Sequence, residues 1–147
     1  MTSVKNILKE KGNVVYSTTP DTPVFEALKL MAEKDIGALV VVESGRLVGI
    51  FSDRDYARKV ILKGKSSRNT PVKEIMTSDV ITARPQQTAG ECQALMNRVR
   101  IRYLPVLDGQ QLVGVISIGD VVRVILAEQE QELERLENIS LGKKELE

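Results

Sequence analysis

Apolar residues along this chain recur in two spacings, and the two alternate in the same order twice. Val24, Ala27, Leu28 and Met31 are spaced as one stripe of a helix, and so are Cys92, Leu95, Met96 and Val99. After each stripe comes a pair of short apolar runs around a turn. Leu39–Glu43 and Arg46–Phe51 flank Ser44-Gly45; Leu104–Leu107 and Gln111–Ser117 flank Asp108-Gly109. Both read as β-hairpins. The unbroken run Ala38-Leu39-Val40-Val41-Val42 predicts a strand covered on both faces. Before each stripe, Val14–Ser17 and Val80–Thr82 read as short strands, and further helices are predicted after Ser52 and Ser117. Pro23 is placed for the first turn of its helix, and Thr88-Ala89-Gly90-Glu91 has capping-box spacing. Cys92 lies on an apolar stripe and reads as a small buried hydrophobe.

The recurrence is a duplication. Shifted by 65 positions, Val15–Ile61 aligns on Val80–Leu126 without a gap. Pro20/Pro85, Glu26/Glu91, Leu30/Leu95, Met31/Met96, Leu47-Val48-Gly49/Leu112-Val113-Gly114, Ser52/Ser117 and Asp55/Asp120 are identical pairs. Each copy has a lead-in, Val4-Lys5-Asn6-Ile7-Leu8 and Val72-Lys73-Glu74-Ile75-Met76. A repeat at a fixed offset sets the unit of the fold before any local assignment. The predicted organisation is repeat 1 with its lead-in at 1–62, a polar linker at 63–71, repeat 2 at 72–127 and an acidic helical tail at 128–147. A half of about 60 residues is marginal alone. The expected class is therefore α+β: two strand–helix–hairpin–helix repeats packed sheet to sheet with pseudo-two-fold symmetry.

Composition narrows the chemistry. Hydrophobic residues are 42% of the 147 positions but aromatics only 3%, so the core is built from Val, Ile, Leu, Met and Ala. There is no His, which removes imidazole bases, imidazole metal ligands and a Ser-His-Asp triad. One Cys, no long apolar span and no secretory leader point to a reducing, cytoplasmic setting without a membrane anchor. No metal motif, catalytic cofactor site or phosphate-binding glycine loop is present. The tail carries net −4, leaving +5 on the rest of the chain. That excess suits a small polyanion and is too weak for nucleic acid. Leu126, Leu133 and Leu136 form a thin stripe in the tail, which either docks on a neighbour or stays solvated.

Both repeats end in Gly, two apolar residues, Ser, two variable residues and Asp: Gly49 to Asp55 and Gly114 to Asp120. Ser-x-x-Asp is close to a helix capping box. It also suits a ligand. An ionised carboxylate accepts only, so one Asp can hold both hydroxyls of a ribose diol. The Ser at the helix mouth sits where backbone N–H groups favour phosphate. The copies differ: Arg54 aligns with Gly119, Gly37 with Arg102 and Ala38 with Tyr103. Arg54 and Arg102 are either phosphate clamps or ordinary surface arginines. Arg58 and Arg123 are paired and read as surface salt-bridge partners.

The duplication, the stretches IGALVVVESGRLVGIFS, IRYLPVLDGQQLVGVIS and VKEIMTSDVIT, and both Ser-x-x-Asp ends resemble the tandem cystathionine-β-synthase (CBS) domain, or Bateman module. The likeness runs from Val4 to about Leu126 and is narrower still toward small stand-alone bacterial CBS-pair proteins. It implies a non-enzymatic regulatory sensor that binds AMP, ADP, ATP or NAD(H) in clefts between the repeats. The alternative is a protein-interaction module with vestigial clefts. Carried over by position, one cleft has Asp120 and Ser117, with Val115, Val15, Tyr16, Ile36, Gly37, Ala38 and Arg102. The other has Asp55, Ser52 and Arg54, with Ile50, Thr77, Val80, Ile81, Ile101, Arg102 and Tyr103. The resemblance also implies a homodimer formed through the helices, acting on an unknown protein target.

Overall fold

A computed structural model describes residues 1–146, with the side-chain surroundings of residues 1–142. The last charged side chains of the predicted tail, Lys143 to Glu147, lie outside that description. In chain order the elements are α1 (Val4–Lys11), β1 (Ser17–Thr18), α2 (Val24–Lys34), β2 (Ala38–Glu43), β3 (Arg46–Ser52), α3 (Asp53–Tyr56), α4 (Ala89–Val99), β4 (Tyr103–Asp108), β5 (Gln111–Ser117) and α5 (Ile118–Leu146). A wider π turn, Ala57–Ile61, continues α3, and a 3₁₀ turn spans Val72–Glu74. The architecture is α+β.

The hairpins form as the apolar runs predict. β2 pairs antiparallel with β3 from Ala38↔Ser52 to Glu43↔Arg46, with a bulge between Val41 and Val42. Ser44 and Gly45 both take positive φ, 53° and 77°, as the tight turn requires. Leu39, Val40 and Val41 are all buried. The first strands are shorter than their sequence suggests. β1 has two residues, paired parallel to β2. Val80–Thr82 joins no named strand, so β4 and β5 form a two-stranded sheet. Val14–Tyr16, read as strand, lie before β1, which begins only at Ser17 and runs one residue past the predicted end.

The chain divides into two compact units, which cut across the repeats. One is Val14–Thr82 with Pro105–Gly114; the other is Met1–Asn13 with Ala83–Leu104 and Val115–Glu147. In the first, Val24, Ala27, Met31, Leu39, Val41, Phe51, Val60, Val72 and Ile75 make a contiguous core. In the second, Val4, Ile7, Ala89, Cys92, Met96, Leu104, Ile116 and Val121 are buried. Cys92 is fully buried, and desolvation, helped by Glu91, pushes its thiol pKa up to about 11.

Backbone hydrogen bonds show why the units cross the repeats: each lead-in docks on the other repeat. The Val4 N–H donates to the Gln87 carbonyl at 2.8 Å and Lys5 to Pro85 at 2.9 Å. Val72 donates to Thr22 at 2.8 Å and Lys73 to Pro20 at 2.9 Å. These are the same two bonds, copied. The return bonds match as well, Ala89 to Thr2 at 2.9 Å and Val24 to Thr70 at 2.8 Å. They satisfy helix N-terminal amides that would otherwise lack partners. Pro23 is thus the cap of α2 with no side-chain cap bond, one residue before the first-turn place its sequence suggests. Linker carbonyls supply the missing acceptors, with Phe25 also donating to Ser67 at 2.9 Å. α4 has the predicted capping box, Thr88 and Glu91 each accepting from the other's backbone.

Candidate functional site

Both Ser-x-x-Asp segments fold as capping boxes at a strand-to-helix junction. At β3–α3, the Ser52 N–H donates to Asp55 Oδ2 at 2.9 Å and the Asp55 N–H donates to Ser52 Oγ at 3.2 Å. At β5–α5, the Ser117 N–H donates to Asp120 Oδ2 at 2.8 Å and the Asp120 N–H to Ser117 Oγ at 3.1 Å. Each helix is also tied to its own hairpin-entry loop. Asp53 donates to the Gly37 carbonyl at 3.0 Å, and Ile118 to the Arg102 carbonyl at 2.8 Å. Gly37 and Arg102 align in the duplication, so the two junctions share one plan.

Within the unit that holds α5, Asp120 is the centre of a charged cluster. It is 7% exposed. Lys11 Nζ, at the end of α1, lies 2.6 Å from Asp120 Oδ2 and donates to the Val115 carbonyl at 2.8 Å. Arg123 Nη2 donates to Asp120 Oδ1 at 2.7 Å. Burial alone would push the Asp120 carboxyl pKa up. The Lys11 hydrogen bond, the Ser117 bonds and the Lys11 charge together outweigh it and hold the pKa below the usual carboxylate value. A pocket of 310 Å³ opens here, lined by Ile7, Glu10, Lys11, Asp120, Arg123 and Val124 among others. That volume is at the lower end of the range for small-molecule sites.

The unit that holds α3 repeats the theme with different residues. Lys59 Nζ lies 3.1 Å from Asp55 Oδ1 and donates to the Ile75 carbonyl at 3.1 Å. Each Asp therefore holds an ammonium that also grips a backbone carbonyl. In one junction the Lys comes from α1, in the other from the π turn following α3. β3 is also joined to the segment after the second lead-in. Ile50 and Thr77 exchange both backbone hydrogen bonds at 2.9 Å, which brings together two residues predicted for one cleft. Gly49 makes this approach possible: a Cβ there would sit 2.5 Å from Met76 Sδ and 3.1 Å from the Thr77 carbonyl.

The predicted site residues divide between the units. Asp120, Ser117, Val115, Ile101, Arg102 and Tyr103 fall in one; Asp55, Ser52, Arg54, Ile50, Thr77, Val15, Tyr16, Ile36, Gly37, Ala38, Val80 and Ile81 fall in the other. Arg54 is exposed. Arg102 stacks toward the Tyr103 ring, 5.5 Å from its centroid. Arg123, read as a surface salt-bridge partner, is exposed and makes its ion pair with the site carboxylate Asp120. Lys11 and Lys59 are the site residues that sequence reasoning missed, and Arg123 was not placed at the site. Lys59 and Arg123 stand four and three residues after their Asp, a spacing that brings side chains together on a helix. Lys11 is 109 residues from Asp120 and carries no such signal.

Comparison with known proteins places these junctions in context. A profile of the CBS domain matches residues 4–62 and 72–127. A mitochondrial CBS domain-containing protein of Arabidopsis thaliana is 41% identical over 145 residues, covering 92% of this chain and 70% of its own length. A solved structure of a protein with CBS domains from Burkholderia ambifaria superposes with a TM-score of 0.83 at 50% identity, covering 87% of this chain and 96% of that one. A CBS domain pair solved in complex with 5′-methylthioadenosine and S-adenosyl-L-methionine superposes with a TM-score of 0.76 at 28% identity, covering 87% and 98%. No helix among the described residues is long and apolar enough to cross a membrane.

Proposed function

Because this chain belongs to the CBS domain family as a tandem pair of repeats, we propose that it is a non-enzymatic regulatory module that binds adenine nucleotides through Asp120 and Asp55. The supporting observation is the doubled junction, in which a Ser at a helix mouth stands three residues before a carboxylate, with a pocket beside Asp120. The ligands are AMP, ADP or ATP, with NAD(H) as the larger candidate for one site. An Asp of this kind has acceptor capacity for both ribose hydroxyls, and deoxyribose would leave one acceptor unpaired. The helix N-terminus beside Ser117 favours phosphate. The adenosine ligands of the related CBS pair support the same chemical class.

A regulatory role needs a ligand that favours one arrangement of the protein over another. The likeness to CBS pairs suggests that the working form is a cytoplasmic homodimer acting on a protein target. A thermal-shift panel of AMP, ADP, ATP, NAD, NADH and S-adenosylmethionine tests the reading. A true ligand at a hundred times its Kd stabilises the fold by about 2.7 kcal/mol. A panel in which no adenine compound raises Tm overturns the proposal in favour of an interaction module with vestigial sites.

A further inference from the structure

α5 is 29 residues long, about 43 Å at the usual helical rise. Val121 near its start is buried, but every residue from Gln129 to Leu141 is exposed. A helical stretch shorter than about 15 residues is marginal in water without packing. Leu126, Leu133 and Leu136 lie along one face of α5 and are 54%, 60% and 49% exposed. Glu130 and Glu137 stand four residues after Leu126 and Leu133, and Glu132 stands four before Leu136. Carboxylates therefore flank the leucines on both sides. Pairing this face with the same face of another copy sets Glu against Glu in either direction, and like charges there repel. The tail needs a surface that is apolar and basic.

One such surface is exposed on the chain itself. Where the π turn Ala57–Ile61 ends, Ile61 is 55% and Leu62 77% exposed. Arg58, Lys59, Lys63 and Lys65 stand around them, all exposed, and positions 57–65 hold no acid. Lys59 is taken by Asp55, and Lys65 reaches Glu74 only at 4.0 Å. Arg58 and Lys63 hold no ion pair among the described residues. The two faces match in both respects, leucines against Ile61 and Leu62 at the centre and glutamates against Arg58, Lys63 and Lys65 at the rim.

We propose that the α5 tail of one copy of this protein docks on the Ile61–Leu62 surface of a second copy. The contact joins two unlike surfaces and is heterologous. It assigns surfaces to the homodimer suggested above and does not depend on the nucleotide reading.

The test is cross-linking of the full chain through rim positions. Cys92 is fully buried and its thiol pKa is raised, so it stays silent to a maleimide. Protein carrying Lys63→Cys is mixed with protein carrying Glu137→Cys and treated with a short bismaleimide. The expected product is a pair holding one chain of each kind, identified by mass, which neither protein forms when treated alone. Lys63→Glu with Lys65→Glu is expected to weaken self-association in sedimentation by about tenfold or more, since like charges then meet. Adding Glu130→Lys and Glu137→Lys to the same chain restores it. A protein that sediments as a dimer but gives no mixed pair, or that links Glu137→Cys chains to one another instead, overturns this proposal and leaves the homodimer standing. A protein that sediments only as a monomer overturns both and leaves the leucine face to a basic helix of another protein. Neither outcome bears on the nucleotide reading, which ligand binding tests. Unfolding curves of the variants establish that folded proteins are compared.

Discussion

Asp120 and Asp55 close the same Gly, two apolar, Ser, two variable, Asp pattern and differ in what reaches them. Asp120 is buried and takes Lys11 from α1 and Arg123 from α5; Asp55 is half-buried and takes Lys59. The depressed pKa of Asp120 has a consequence for stability. An Asp in an unfolded chain titrates near about 3.9. Below that value the unfolded state binds a proton that the folded state still refuses. Stability contributed by the Asp120 cluster is therefore full above the unfolded pKa and is lost as pH falls through the lower folded pKa. Asp120→Asn removes this titration. Its Tm plotted from pH 6 toward acid falls less steeply than that of the unaltered protein, and parallel acid limbs would contradict the assignment. The local half of the site was legible in the sequence because a capping box spans only four residues. Lys59 and Arg123 were legible in principle, from helical spacing. Lys11 was not, since nothing near position 11 refers to position 120.

At the scale of elements, hairpins and capped helices follow directly from their residues. Ser44-Gly45 turns β2 into β3, and Thr88 with Glu91 starts α4. Apolar composition over-reads the first strands: Val14–Tyr16 and Val80–Thr82 belong to no named strand. The docking of each lead-in on the other repeat was invisible for a different reason. Its bonds join backbone groups, Val4 to Gln87 and Val72 to Thr22, and backbone bonds leave no side-chain signature. The duplication does mark it afterwards, since both bonds recur. Gly49 is the element-scale position most sensitive to change. A Cβ there meets Met76 at 2.5 Å and the backbone of Thr77 at 3.1 Å, and the second contact cannot be relieved by a rotamer. Gly49→Ala is expected to destabilise the protein by about 1–3 kcal/mol, the usual cost of overpacking. Chemical denaturation measures it. A change below about 0.5 kcal/mol would show that the Ile50–Thr77 bridge yields easily.

For the molecule as a whole, the duplication makes two junctions of one design, each holding an ammonium on its carboxylate and on a neighbouring carbonyl. The differences fall on the cations. Lys11 reaches Asp120 only because α1 is docked on the second repeat, whereas Lys59 follows Asp55 on the same stretch of chain. Thr2, just ahead of α1, also ties this region to α5 by a 2.6 Å bond from its N–H to Glu128. The central claim is that the two carboxylates hold a nucleotide ribose. Equilibrium binding of AMP to the unaltered protein, to Asp120→Ala, to Asp55→Ala and to the double variant tests it most directly. Losing a charged acceptor for the diol is expected to weaken each site by about tenfold or more, at about 1.5–3 kcal/mol per charged hydrogen bond. The account predicts that each single variant weakens one class of site and that the double variant shows no saturable binding. A double variant that binds AMP as the unaltered protein does would contradict it.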